Sequence, residues 1–460
     1  MTHHKSFSLS MQKEMEKRDL SMDSEINKAF KELKIKSMLR RSGISKNKGY
    51  QTLTLLYLIV LLPFFKKYLR SLWLDNCFQN HFDAKKDTYY RFLNHERFNW
   101  RTFIYCLAFR VLSRSDEVPL KQKVLIADDS IAPKTGQNME LVSYHFDHKV
   151  RRSVLGNQFL QLAYHNGINL FPIDVAFHTS KKRPNKRVRE MDKRTNGWRR
   201  RKEVFKKKTD LLVEMLQRAW NNGIDASFVL FDSWFAHDIV ISKILHIGYG
   251  VICRLKRGRT KYTYHGQQYT LKQLWHQVAK KKTYWLDRFK VKVFCLDVTL
   301  PQSGDVRVLF VSDGKKQWHA FLSTDLDLDA SEILTYYARR WAIEVFFKDA
   351  KQMLYLGKEQ SETFDAVVAC YSIVMMRYLL LVYILNKYAM TGPIGPLFRD
   401  LAESHLQLYI AEKMWAYIKE LMITSSQLFW PEMEPDRFLH LLDIVEDAIS
   451  NQVKILTAKL

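Results

Sequence analysis

The stretch KVLIADDS, residues 123–130, places two acids directly after the pattern of a buried strand. Its apolar residues 124–127 are typical of a strand inside a sheet. Asp128 and Asp129 follow at once, and a buried carboxylate is costly unless it is paired or bound to a metal. A single acid at a strand end is usually a turn former, so this stretch alone leaves that interpretation open.

A second stretch, ASFVLFDSWF, repeats the arrangement at residues 226–235. Its apolar run 228–231 predicts another buried strand and delivers Asp232 at its end. Ligand and catalytic groups gather at such strand ends in sheets that are flanked by helices. Hairpin strands come first and alternating strands and helices follow, so we predict an α/β fold with a mixed sheet flanked by helices.

The stretch YARRWAIEVFFKDAK, residues 337–351, predicts one helix with a charged face. Tyr337, Arg340, Glu344 and Lys351 lie three, four and seven residues apart. At about 100° per residue, their side chains fall within roughly 60° of one helix face. Ordinary charge pairs on a solvated helix are the alternative interpretation. A carboxylate that lies between two cations and a phenol could also bind a metal, while these neighbours bind phosphates.

Three acids on separate elements, either Asp128 or Asp129 together with Asp232 and Glu344, form the predicted catalytic set. Three carboxylates are what an oxygen-liganded pair of Mg2+ or Mn2+ ions requires. Such a pair supports in-line displacement at phosphorus. No nucleophile–base pair stands out among the 15 histidines, which argues against a metal-independent chemistry.

The positive charge of the chain is unevenly distributed. The 460 residues carry a net charge of +25, yet residues 391–460 hold 6 Lys and Arg against 10 Asp and Glu. The rest of the chain therefore carries +29, which predicts a polyanionic partner. The densest run, residues 181–208, has 15 Lys and Arg against 3 acids. We predict that this run contacts DNA phosphates rather than forming a disordered basic tail. The proposed contacts are Arg199, Arg200 and Arg201.

The cysteines and the apolar runs indicate a cytoplasmic protein that does not cross a membrane. Five widely separated cysteines offer no zinc spacing, and their odd number argues against a complete disulfide framework. The apolar runs at 53–65 and 370–385 are short and interrupted, so we interpret both as core helices. The N-terminus has no signal-peptide pattern.

Six segments are predicted from the changes of pattern along the chain. The 112 residues that separate Asp232 from Glu344 exceed what one helix and a loop need, so we predict a β-rich insertion between them. The segments are a polar, partly disordered arm (1–45), a helical region that either binds DNA or packs (46–118), the first part of the core (119–257), the β-rich insertion (258–330), the second part of the core with the Glu344 helix (331–390), and a helical C-terminal region suited to dimerisation or packing (391–460).

The order of strand Asp, strand Asp, β-rich insertion and helix Glu resembles that of the ribonuclease H-like DDE transposases. The spacing Tyr-x2-Arg-x3-Glu-x6-Lys is similar to the signature of one group of bacterial insertion-sequence transposases, the "insertion sequence four" family. Tyr337, Arg340, Glu344 and Lys351 match each position. DSWF at residues 232–235 also resembles the second-acid motif of that family. The resemblance covers about residues 120–360.

This resemblance implies that Asp232, Glu344 and the first acid bind metal ions. It also implies that Tyr337, Arg340 and Lys351 contact phosphates at the transposon end, which suits their hydrogen-bonding groups. The first acid is ambiguous, because adjacent residues of a strand face opposite sides. The family often shows Asp, any residue, then Ser or Thr, and that pattern favours Asp128 over Asp129.

The function implied by the resemblance is DNA transposition through terminal inverted repeats. The expected cofactor is Mg2+ or Mn2+, as two ions, and the expected partners are double-stranded DNA and a second copy of the chain in the synaptic complex. Cut-and-paste transfer is the family expectation, in a bacterial cytoplasm. Some members stack a flipped base on a Trp of the insertion, and the positions to consider are Trp275, Trp285 and Trp318.

Two alternative functions stay open at this point. A structure-specific nuclease or resolvase on the same fold would cut DNA without joining a 3′-OH end to a target. A domesticated DNA-binding protein would retain binding without cleavage, but an intact set of three acids argues against it.

Overall fold

The computed structural model describes residues 25–46, 48–70, 84–116, 118–147, 150–314, 317–390 and 392–404, and isolated positions beyond residue 404. Residues 1–24 of the predicted arm and most of the predicted C-terminal region lie outside the described residues. The chain divides into two compact units. One comprises Met1–Lys28, Tyr57–Asp83 and Pro393–Leu460, and the other comprises Ala29–Leu56 and Ala84–Gly392. Every predicted site residue belongs to the second unit.

The N-terminal part of the described chain is helical. Within the predicted arm, α2 buries Ile35, Met38 and Leu39, so these residues pack. Asn99 caps α5, because its side chain accepts a hydrogen bond from the backbone N–H of Thr102. The helices are α1 (Glu25–Glu32), α2 (Ile35–Arg41), α3 (Thr52–Leu61), α4 (Lys86–Leu93) and α5 (Trp100–Leu112).

A single twelve-stranded sheet forms the centre of the larger unit. The strands are β1 (Val124–Pro133), β2 (Ser143–Asp147), β3 (Arg152–His165), β4 (Leu170–His178), β5 (Phe228–Phe231), β6 (Gly250–Leu255), β7 (Tyr262–Tyr264), β8 (Gln267–Tyr269), β9 (Tyr284–Leu286), β10 (Val291–Leu300), β11 (Gly304–Ser312) and β12 (Trp318–Ser323). Their order is β2-β3-β1-β5-β6-β12-β11-β10-β7-β8, with β4 paired to β3 and β9 paired to β10.

The remaining helices flank this sheet and complete a mixed α/β architecture. They are α6 (Asn196–Glu203), α7 (Lys208–Asn221), α8 (Asp238–Ile247), α9 (Leu271–Leu274, continued to Lys282), α10 (Ala330–Ala338), α11 (Trp341–Gln352) and α12 (Phe364–Lys387). The predicted fold class is confirmed, and the strand arrangement is compatible with a ribonuclease H-like fold.

The pairing of β1 with β5 brings two of the predicted acids to one edge. The two strands run parallel, and Ile126 lies opposite Leu230. Both strands bury their apolar residues, which is typical of parallel strands covered on both faces. Two residues past this pair, β1 reaches Asp128, and the chain reaches Asp232 directly after β5 ends at Phe231.

The segment between β6 and α10 is rich in strands, and these strands continue the main sheet. β12 pairs antiparallel with β6, where Cys253 lies opposite Leu322, and β11 and β10 follow in order. The segment also contains one helical stretch, α9, which begins with a capping box formed by Thr270 and Gln273.

The predicted single helix over residues 337–351 is wrong, because the chain forms two helices there. α10 ends at Ala338 and α11 begins at Trp341. At the junction, the backbone N–H groups of Arg339 and Arg340 donate to carbonyls three residues earlier, at Tyr336 and Tyr337. Such i to i+3 hydrogen bonds tighten the backbone relative to an α-helix and interrupt it.

The long helix α12 is the central core helix of the larger unit. Among the described residues it is the one helix long and apolar enough to cross a membrane, but nearly all of its side chains are buried inside the protein. Arg377, near its middle, donates to the backbone carbonyl of Leu354 at 2.9 Å. The prediction of a core helix at residues 370–385 is therefore confirmed.

A buried ion cluster ties α6 to α12. Arg201 donates to both carboxylate oxygens of Glu140 at 2.6 Å and to both oxygens of Asp365 at 2.9 Å. All three residues are buried. Breaking a buried pair by removing one partner leaves an uncompensated charge, which costs far more than the loss of a surface pair.

We predict that Arg201→Gln lowers the free energy of unfolding by about 3–5 kcal/mol, because Glu140 and Asp365 lose their shared cation. Urea unfolding followed by circular dichroism measures the change. Arg187→Gln is the matched control, since Arg187 lies in the same basic run but is exposed, and its effect should stay within about 0.5 kcal/mol. Equal effects of the two substitutions would contradict the role of the cluster.

Candidate active site

The carboxylate of Asp128 faces the side of the sheet where Arg340 lies. Its Oδ2 accepts a hydrogen bond from Nη1 of Arg340 at 3.1 Å. Burial raises the pKa of Asp128 to about 7; Arg340 lowers it in part, while the nearby charges of Asp129 and Asp232 raise it further. The electrostatic effect of Asp232 on this carboxyl indicates that the two acids lie near one another, as expected from the pairing of β1 with β5.

Glu344 is linked to Asp128 through Arg340. Glu344 lies in the first turn of α11, and its Oε1 accepts a short hydrogen bond from Nη2 of Arg340, four residues earlier. One guanidinium group thus bridges an acid from β1 and an acid from α11. The bidentate shape of Arg suits this role better than the point charge of Lys would.

Asp129 points to the other side of β1. Its Oδ2 accepts hydrogen bonds from Nε2 of Gln158 at 2.6 Å and from Nζ of Lys208 at 2.8 Å. The ammonium group of Lys208 also lies 3.9 Å from the ring centre of Trp234. The structure therefore groups Asp128, and not Asp129, with Arg340.

The two other residues of the Tyr-Arg-Glu-Lys pattern lie beside these acids. The ring of Tyr337 packs on Phe321, and the guanidinium of Arg340 lies 5.7 Å from the Tyr337 ring centre. Burial raises the pKa of Tyr337 to about 12, so its phenol is a hydrogen-bond donor at neutral pH. Lys351 donates from Nζ to Oγ of Ser130 at 2.7 Å, two residues after Asp128.

The chemistry of the three acids suits a hard divalent cation, but their arrangement is held by a guanidinium. Carboxylate oxygens are the ligands that Mg2+ and Mn2+ prefer, and a cation would offset the burial and the repulsion that raise the pKa of Asp128. In the part of the chain that the structure describes, no three acids, histidines or cysteines form a cluster close enough to hold a metal. The guanidinium group of Arg340 lies between Asp128 and Glu344 and pairs with both.

The basic run contributes fewer surface arginines than its composition predicts. Arg199 is exposed on α6, as a phosphate contact requires. Arg200 and Arg201 are buried, and they bind Glu203 and Glu140, respectively. The prediction that Arg200 and Arg201 contact DNA is corrected accordingly, because their hydrogen-bonding groups point into the protein.

Of the three tryptophans of the insertion, two belong to the core. Trp275 and Trp318 stack with ring centres 5.2 Å apart, and both are buried. Trp285, on β9, is 51% exposed.

Sequence reasoning missed two exposed tryptophans next to the acids. Trp234 follows Asp232 by two residues and is 44% exposed, and Trp341 precedes Glu344 by three residues and is 63% exposed. Their positions next to Asp232 and Glu344 in the sequence could have indicated that they lie at the site. Exposed aromatic rings offer flat surfaces on which the bases of a nucleic acid can stack.

Two family models match the chain over the elements that carry these residues. A "DDE superfamily endonuclease" model matches residues 70–281, which include Asp128 and Asp232. A "Transposase DDE domain" model matches residues 202–380, which include Asp232 and Glu344. The matches support a DDE transposase or endonuclease. Together the matched ranges run from residue 70 to residue 380 and include every strand of the sheet. No curated protein matches the chain.

We predict that Asp128→Asn makes the metal-free protein less sensitive to pH. The pKa of Asp128 is about 7 in the folded chain against 3.8 as its ordinary value, so between about pH 4 and pH 7 the folded state holds more protons than the unfolded state. The contribution of Asp128 to stability therefore falls as the pH rises through that window. Urea unfolding in EDTA at pH 4.5 and pH 8 should show a smaller loss of stability in Asp128→Asn than in the wild type.

The control for this measurement is Asp225→Asn, because Asp225 is an exposed acid of the same unit. This variant should follow the wild-type dependence. Parallel curves for the wild type and Asp128→Asn would show that the Asp128 carboxyl is solvated.

Proposed function

We propose that this chain is a DNA transposase that cuts the ends of an insertion sequence and joins the 3′-OH ends to a target. The observation that carries the proposal is the arrangement of three acids. The parallel pairing of β1 with β5 brings Asp128 near Asp232, which directly follows β5, and Arg340 links Asp128 to Glu344. This is a negatively charged centre bordered by cations that can bind phosphates, within matched DDE models.

Asp128, Asp232 and Glu344 are the residues that would hold divalent ions, Mg2+ or Mn2+, as DDE transposases typically use. Bound there, two ions would activate the attacking oxygen and neutralise charge on the leaving oxygen. Arg340 has to exchange its carboxylate partners for a DNA phosphate when the acids take up cations. The same side chain would thus counter the acids in the free protein and bind the substrate in the complex.

The phosphate contacts proposed around this centre are Tyr337, Arg340 and Lys351. Tyr337 donates one hydrogen bond, Arg340 offers a planar fork, and Lys351 offers a point charge on the same edge as Ser130. Arg199 is the proposed contact of the basic run with the DNA backbone. These groups would orient the scissile phosphate against the three acids.

The details of substrate recognition, strand transfer and assembly are proposed from the "insertion sequence four" resemblance. We propose recognition of terminal inverted repeats, cut-and-paste transfer, action on cytoplasmic DNA, and a homodimer in the synaptic complex. The predicted segment 46–118 is proposed to read DNA or to pack, and 391–460 is proposed for dimerisation. A structure-specific endonuclease is the second candidate, and the match to a DDE endonuclease model is what favours it.

We expect Glu344→Gln to abolish both cleavage and joining of DNA that carries the ends of the native locus, with losses of more than about 100-fold. The substitution removes one proposed ion ligand but keeps the side-chain length. A Mg2+-dependent strand-transfer assay measures joining, and a gel-shift assay should show that binding is retained.

The matched control is Glu362→Gln, since Glu362 is exposed and should leave both steps unchanged. Cleavage without joining by the wild type would favour the endonuclease. An active Glu344→Gln variant would remove Glu344 from the catalytic set.

We expect Arg199→Gln to weaken DNA binding and to reduce the slope of log K against log salt concentration by about 0.9, the contribution of one phosphate contact. Fluorescence anisotropy at several salt concentrations measures the slope. Lys243→Gln, on the exposed surface of α8, is a control of equal charge change and should leave the slope closer to that of the wild type. Equal slopes for both variants would mean that Arg199 makes no specific contact.

A further inference from the structure

A cavity of about 250 Å³ lies between α5, α6 and α7, on a different set of elements from those that bear the three acids. Its deep wall includes Trp100, Tyr105 and Arg200, which are buried. Its rim includes His95 and Arg199, which are exposed, so the cavity opens to solvent. The volume is many times the share of one water molecule and accommodates a small solute.

The residues that line this cavity carry an excess of positive charge: Arg101, Arg199, Arg200 and Arg218 stand against Glu96 and Asp365. These two acids pair with arginines outside the lining, Arg189 and Arg201, respectively. Asp174 accepts hydrogen bonds from Arg101 at 2.8 Å and from Arg218 at 2.9 Å. Glu203 accepts from Arg101 at 2.9 Å and lies 3.4 Å from both Arg200 and Arg218. Three guanidinium groups therefore share two carboxylates. A buried positive charge without a counter-charge is costly, and burial together with Arg101 lowers the pKa of Arg200 to about 10.

Three hydrogen-bonding groups at the same cavity have no partner. No described residue forms a hydrogen bond with Nε1 of Trp100, the hydroxyl of Tyr105 or Nη2 of Arg218. Trp100 is 3% exposed and Tyr105 is 4% exposed. Buried polar groups in folded proteins are nearly always hydrogen-bonded. Two of these groups can only donate, so the cavity calls for an acceptor.

We propose that this cavity binds a phosphate group. A phosphate supplies several acceptor oxygens for the unpartnered donors and the negative charge that the three arginines lack. Water would supply acceptors but no charge. The phosphate can come from inorganic phosphate, from a nucleoside monophosphate, or from a DNA strand that reaches the rim at Arg199. The site is independent of the proposed transposase activity, since it needs neither a divalent ion nor the three acids.

Binding of phosphate should stabilise the fold, because its oxygens would bridge α5 and α7 through Tyr105 and Arg218. The experiment uses the full chain, dialysed into a chloride buffer with EDTA, so that metal-dependent binding at the three acids is suppressed. Inorganic phosphate, dAMP and a 12-base-pair duplex are titrated separately at constant ionic strength. Isothermal titration calorimetry gives the affinity, and thermal unfolding gives the shift in Tm.

We expect a saturable rise in Tm with inorganic phosphate and none with added chloride. Tyr105→Phe removes one unpartnered hydroxyl and leaves the arginine–carboxylate pairs in place, so it should fold and bind phosphate at least about tenfold more weakly. Arg218→Lys is the second variant and should weaken binding further. Tyr378→Phe is the matched control, since Tyr378 is buried against Phe346, and it should retain wild-type affinity for phosphate.

The three probes distinguish the sources of the phosphate. Stronger binding of dAMP than of inorganic phosphate assigns the site to a nucleotide, and displacement of phosphate by the duplex assigns it to DNA. Phosphate binding that persists beside bound duplex assigns the site to the free anion. Absence of any phosphate-dependent shift, or equal affinity in the wild type, Tyr105→Phe and Arg218→Lys, would overturn the proposal.

Discussion

The parallel pairing of β1 with β5 is the constraint on which the candidate active site depends. The segments that pair, residues 124–126 of β1 and 228–230 of β5, are apolar and buried, so their register is set by packing on both faces. That register delivers Asp128 and Asp232 side by side where solvent is scarce. Their mutual repulsion would be unfavourable in an isolated sheet, and Arg340 offsets it from the adjacent helix. Strand pairing, carboxylate burial and the position of α11 are therefore parts of one electrostatic arrangement.

Arginine plays two different parts in this chain. Arg201 holds α6 to α12 through buried carboxylates, and Arg101 and Arg218 hold α5 and α7 to Asp174 of β4. Arg199, one residue from a buried neighbour, faces solvent. A basic run can thus form buried ion pairs on one side of a helix and bind a polyanion on the other side, because successive helical residues point about 100° apart.

The sequence was sufficient to predict the elements that depend on apolar patterning. Apolar runs predicted β1, β5 and the core helix α12, because burial on all sides leaves a continuous apolar signal. The order of the acids along the chain also suggested that they meet. The choice of Asp128 could be argued from a motif, but its contact with Arg340 depends on strand orientation.

Other features were beyond pattern reasoning. The break between α10 and α11 occurs in a stretch of good helix formers, so local preference alone gives no sign of it. The burial of Arg200 and Arg201 depends on acids such as Glu140 and Asp365 that are distant in sequence. Composition does not distinguish a buried basic residue from an exposed one, because that difference depends on the tertiary structure.

The strands of the β-rich segment are mechanically continuous with the strand that precedes them. β6 sits between β5 and β12, so the backbone ladder runs without a gap from the pair that carries Asp128 and Asp232 to the exposed hairpins. The β-rich segment therefore cannot be displaced from the acid-bearing strands without breaking the hydrogen bonds that β12 shares with β6.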